Sequence, residues 1–97
     1  MAQASSETVT ASASTELSLP DGVDLHARPA ADFVRAAMRF DSDVRVAVGE
    51  READAKSLLS VLALGARRGT LLRLRAEGPD AADAVRTLAA AVAAFRE

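Results

Sequence analysis

Leu25-His26-Ala27-Arg28-Pro29-Ala30-Ala31-Asp32-Phe33-Val34-Arg35-Ala36-Ala37-Met38 carries a single histidine at the head of an apolar stripe. Apolar residues recur at Ala30, Phe33, Val34, Ala37 and Met38, the spacing of an amphipathic helix. Pro29 suits a first helical turn, where the amide it lacks would have had no partner. The spacing therefore predicts a helix over about 27–38, with His26 just ahead of it. The free N–H groups of such a helix start, together with its dipole, favour an anion. A neutral imidazole beside them has a lone pair with which to attack phosphorus. Once modified, the ring carries a phosphoryl group of charge near −2, which the helix start and the Arg28 guanidinium both favour. A histidine at a helix start is by itself often a simple structural residue, so the assignment needs the rest of the chain.

Outward from this helix, the pattern switches between periods of two and 3.6. Upstream, Thr15 to Leu19 alternates, with Leu17 and Leu19 on one face and Glu16 and Ser18 on the other, which predicts a half-buried strand. Pro20-Asp21-Gly22 ends it. Downstream, Val44, Val46 and Val48 alternate with Asp43, Arg45 and Ala47 in a second strand. Gly49-Glu50 turns the chain into a short polar strand over 51–55. Ser57 is placed to cap a helix through Leu64, closed by Gly65. Thr70 to Glu77 reads as a strand with Leu72, Leu74 and Ala76 inward and Arg73 and Arg75 outward. After Gly78-Pro79, Asp80 is expected to cap a last helix, with Asp83 in its first turn and Ala81, Ala84, Val85, Leu88, Val92 and Phe95 buried.

The order is β-α-β-β-α-β-α. Amphipathic helices need an apolar sheet face to cover, and the alternating strands provide one. The expected fold is an α+β open-faced sandwich: a four-stranded, largely antiparallel sheet with three helices on one face and water on the other. The helix over 58–64 is apolar nearly all round, more than one buried face requires.

Composition narrows the function. The chain has 97 residues, room for one domain, and no cysteine, so disulfides and thiolate metal sites are excluded. One histidine rules out a multi-histidine metal site within the chain, and no metal or other cofactor is expected. Twelve basic and 14 acidic residues give a net charge of −2, and the three aromatics are Phe33, Phe40 and Phe95. This composition argues against nucleic acid as a partner. No apolar run is long enough for a membrane span. Residues 1–13, rich in Ala, Ser and Thr, are expected to form a disordered tail ahead of a domain over 14–97. They lack the marks of a secretory signal, and a cytoplasmic location is expected.

Several stretches together resemble the HPr family, the histidine phosphocarriers of the bacterial phosphoenolpyruvate:sugar phosphotransferase system. They are Leu25-His26-Ala27-Arg28-Pro29-Ala30-Ala31, Ala55-Lys56-Ser57-Leu58-Leu59, Leu64-Gly65, Gly69-Thr70 and Ala76-Glu77-Gly78. The resemblance implies that His26 takes a phosphoryl group on Nδ1 from enzyme I and passes it to EIIA domains for sugar uptake. Arg28 would support that group, and the amides of Ala27 and Arg28 would receive its oxygens. Leu58, Leu59, Leu62 and Ala63 would dock both partners. Ser57 matches the family's regulatory serine, implying a serine kinase or a transcription regulator as a further partner. The protein would be a monomeric, stoichiometric carrier and no enzyme in its own right. An alternative is a regulatory relative that controls other proteins according to its phosphorylation state. Three features depart from the family pattern: Asp24 replaces the usual glycine and puts an anion near the phosphate site, the tail is longer, and Leu59 replaces an aromatic or methionine.

Overall fold

The computed structural model describes residues 11–95. Four strands, β1 (Ser12–Ser18), β2 (Asp43–Val48), β3 (Arg51–Asp54) and β4 (Leu71–Glu77), form one sheet in the order β1-β4-β2-β3. Every pairing is antiparallel. Helices α1 (Ala27–Ala37), α2 (Leu58–Leu64) and α3 (Ala81–Ala93) complete the expected β-α-β-β-α-β-α order. Helix α3 lies against β1, β4 and α1, and α2 bridges α1 and β3.

The core forms where the two periodicities meet. Strand β4 alternates strictly, exposing Leu71, Arg73, Arg75 and Glu77 and burying Leu72, Leu74 and Ala76. Those inward residues meet Val44 and Val46 of β2, Phe33 and Ala37 of α1, and Leu88 and Val92 of α3, all essentially inaccessible. The opposite sheet face is polar. Ala47 on that face is nevertheless buried, set between its cross-strand neighbours Glu52 and Arg73, both of which have long aliphatic stems.

Three local expectations change. Strand β1 begins at Ser12, so Ser12 and Ala13, read as tail, pair with Glu77 and Ala76; the rest of the expected tail, residues 1–10, lies outside the described residues. Met38 leaves the α1 stripe and is 62% exposed. Eight residues beyond Ala30, it sits at the stripe's edge, and the chain is already tightening through Arg39 N–H to Ala36 O and Phe40 N–H to Ala37 O. Asp80 precedes α3 but makes no side-chain cap. Its carboxylate instead accepts the amides of Asp41 and Ser42, each at 2.9 Å, and the hydroxyl of buried Ser42. That bond from the hydroxyl, with the two amides, holds the Asp80 carboxyl below its ordinary value. The network ties the start of β2 to the start of α3.

Candidate functional site

The loop between β1 and α1 presents His26 by burying its alternate residues. Leu19, Val23 and Leu25 are each at most 2% exposed. Leu25 also donates its amide to Ala66 O at 2.9 Å. With Leu25 pinned inward and the backbone at His26 extended (φ −142°, ψ 158°), the imidazole is turned outward. It is exposed and, among the described residues, has no hydrogen-bond partner. The ring stands at the N-cap of α1 and does not cap it.

The helix start provides donors without acceptors. The carbonyl of His26 takes the Ala30 amide at 3.4 Å. The amides of Ala27 and Arg28 precede any helical carbonyl that could receive them, and Pro29 has none. No acidic residue lies in the first turn. Ala27 adopts φ +41°, the one described non-glycine residue with positive φ. That conformation costs an L-residue on the order of 1 kcal/mol, and such outliers tend to cluster where geometry serves function. The Arg28 side chain is exposed and makes no ion pair with a described carboxylate. Among the described residues, this helix start therefore offers an exposed imidazole, two amides without a helical acceptor and an unpaired guanidinium, a donor set whose chemistry suits an anion.

Helix α2 supplies the neighbouring surface, with the bounds the sequence predicts. Ser57 caps it by accepting the Ser60 amide at 3.3 Å, while its hydroxyl donates to Ser60 Oγ at 3.0 Å. Gly65 closes it at φ +68°, where a side chain would be strained. Val61 and Leu64 face the core, which leaves Leu58 at 41% and Leu59 at 80% exposure. Ala63 is exposed and Leu62 half-buried. Leu58 with Leu62 and Leu59 with Ala63 are i, i+4 neighbours on the helix surface. Lys56 braces this helix against the end of α1, its Nζ donating to Phe40 O at 2.7 Å. Leu62 and His26 line one hollow of about 280 Å³ between the loop that leads into α1 and the end of α2. His26, Ala27, Arg28 and the apolar residues thus form adjoining surfaces, with Ser57 at the far end of α2.

Asp24 is half-buried and turned toward the loop after α2. It accepts the Arg68 amide at 2.8 Å, with the Arg68 guanidinium 3.8 Å from the same oxygen. Sequence reading did not find Arg67 or Arg68 as part of this site. They lie more than 40 positions from Asp24, and two arginines after a helix-ending glycine look like ordinary loop residues.

Residues 13–94 match the family model described as "PTS HPr component phosphorylation site". The phosphocarrier protein HPr of Vibrio cholerae is 47% identical over 66 residues, covering 68% of this chain and 78% of that one. The crystal structure of an HPr from Bacillus anthracis superposes with a TM-score of 0.81 at 33% identity, covering 84% of this chain and 98% of its own. The solution structure of Crh, the Bacillus subtilis catabolite repression HPr, gives 0.68 at 39% identity, covering 84% and 95%.

Proposed function

This chain belongs to the HPr family of phosphotransferase-system phosphocarriers, and on that premise we propose that His26 is the residue that carries the phosphoryl group. The supporting observation is the placing of an exposed imidazole at the start of α1 beside two amides without helical acceptors. In the proposed step, His26 Nδ1 attacks phosphorus in line. The donor's bond to phosphorus breaks as the Nδ1–P bond forms, and the donor leaves with the electron pair. The amides of Ala27 and Arg28 receive the equatorial oxygens, and the Arg28 guanidinium balances their charge. The same arrangement serves the reverse direction, as a carrier requires. The chain takes up one phosphoryl group and gives up one, so it turns over only with its partners.

Enzyme I as donor and EIIA domains as acceptors complete this reading, with Leu58, Leu59, Leu62 and Ala63 as the surface both engage in turn. A modest apolar patch suits brief, exchangeable complexes. The protein works as a monomer in the cytoplasm. No described helix is long and apolar enough to cross a membrane.

Regulation through Ser57 is a second reading, favoured by its place at the N-cap of α2 beside exposed Leu58 and Leu59. A phosphate there would suit the helix start but set charge against the apolar surface. A serine kinase would act on it, and a transcription regulator could read the result. The likeness to Crh fits this branch.

Incubation with phosphoenolpyruvate and enzyme I, followed by intact-mass measurement, tests the central reading. One phosphoryl group should be gained by the wild type and none by His26→Ala. A gain that survives the substitution would place the acceptor elsewhere.

A further inference from the structure

The loop after α2 contributes two arginines that differ in their surroundings. Arg68 is engaged with Asp24 through both its amide and its guanidinium. With the Leu25 amide on Ala66 O, this staples residues 24–25 to residues 66–68. The loop is also tied within itself. The Arg67 amide donates to Thr70 Oγ1 at 3.2 Å, and the Thr70 amide donates to Arg67 O at 2.9 Å. The Arg67 backbone is therefore held while its side chain stays exposed. That guanidinium makes no ion pair with a described carboxylate, and Arg67 lines the hollow of about 280 Å³ that His26 and Leu62 also line.

We propose that Arg67 is a second cationic ligand for the phosphoryl group on His26, held at the hollow by the Asp24–Arg68 staple. The inference rests on His26 being the carrier residue. Arg28 follows His26 in the chain and approaches the group from the α1 side. Arg67 approaches from the α2 side, across the hollow. A planar guanidinium can give two parallel N–H bonds to phosphoryl oxygens. Asp24 would otherwise compete for Arg67 and repel the group. Its engagement by Arg68 limits both effects, so this aspartate comes with its own counter-charge.

The test loads the protein from phosphoenolpyruvate with enzyme I, removes the enzyme, and follows the phosphorus NMR shift of phosphohistidine against pH. A nearby guanidinium favours the dianion and lowers the pH at which the phosphoryl group takes its last proton. In Arg67→Ala that midpoint should rise by roughly 0.2–0.7 pH units, the range expected for an exposed ion pair. Arg67→Lys, which keeps the charge, should move it by less than half as much. The proposal is overturned if Arg67→Ala titrates with the wild type, or if both variants shift equally. A wild type that takes up no phosphoryl group would instead overturn the His26 reading, and this inference with it.

Discussion

In Leu59→Ala, three carbon atoms leave a side chain that is 80% exposed in the free protein. If α2 is the docking surface, that exposed portion is what a partner covers. At about 0.8 kcal/mol per buried carbon, scaled by the exposed fraction, the complex loses about 2 kcal/mol. That corresponds to about 25-fold weaker binding. The portion already buried in the free protein is worth only about 0.5 kcal/mol by the same reckoning, and alanine's higher helix propensity offsets part of it. Val61, two residues on and inaccessible, is the contrast. Val61→Ala should cost about 1.5–3 kcal/mol of stability through lost burial and a cavity, with little direct effect on docking. The assay is the KM for the phosphocarrier in transfer from enzyme I, alongside thermal unfolding. Leu59→Ala should raise KM without moving Tm by more than about 4 °C, and Val61→Ala should lower Tm by about 10 °C. An unchanged KM in Leu59→Ala, with partner and salt held constant, would refute the assignment of α2 as the docking surface.

Gly78→Ala should destabilise the fold by about 1–3 kcal/mol in urea unfolding. Its added Cβ would lie 2.6 Å from Ser42 Oγ and 2.7 Å from Ser42 Cα, at φ +144°. The Asp80 carboxyl is held below its ordinary 3.8 by the Ser42 hydroxyl and the Asp41 and Ser42 amides. Its contribution to stability is therefore complete above the unfolded value and lost as pH falls through the lower folded one. Asp80→Asn should flatten the stability profile below about pH 4, which acid unfolding followed by circular dichroism would show. Ser57→Ala removes the α2 cap and should cost about 1 kcal/mol. Ser57→Asp keeps an acceptor at the cap, so its unfolding midpoint should stay near the wild type while transfer from enzyme I slows.

What the sequence revealed and what it hid divides along local and non-local lines. Helix α2 was legible residue by residue because Ser57, the apolar run and Gly65 are adjacent in the chain. The inward faces of β2 and β4 were legible because alternation is a two-residue signal. Strand β1 was read three residues short, since Ser12, Ala13 and Ser14 resemble polar tail until Glu77, Ala76 and Arg75 are set opposite them. Asp80 looked like a helix cap because its partners, Asp41 and Ser42, are 38–39 residues away. The same blindness covers the candidate site. The placing of His26, Arg28 and Pro29 at the start of α1 was legible because they are neighbours in the chain, whereas the direction of Asp24 depends on Arg68, 44 positions on. The positive φ of Ala27 had no signal at all, as alanine marks no special backbone position.

The most direct measurement is the ring-nitrogen correlation NMR spectrum of ¹⁵N-histidine-labelled protein after reaction with phosphoenolpyruvate and enzyme I. With one histidine in the chain, only one imidazole can respond. The account predicts that phosphorus couples to Nδ1 of His26. Attachment at Nε2, or an unmodified ring in protein that has gained a phosphoryl group elsewhere, would contradict it.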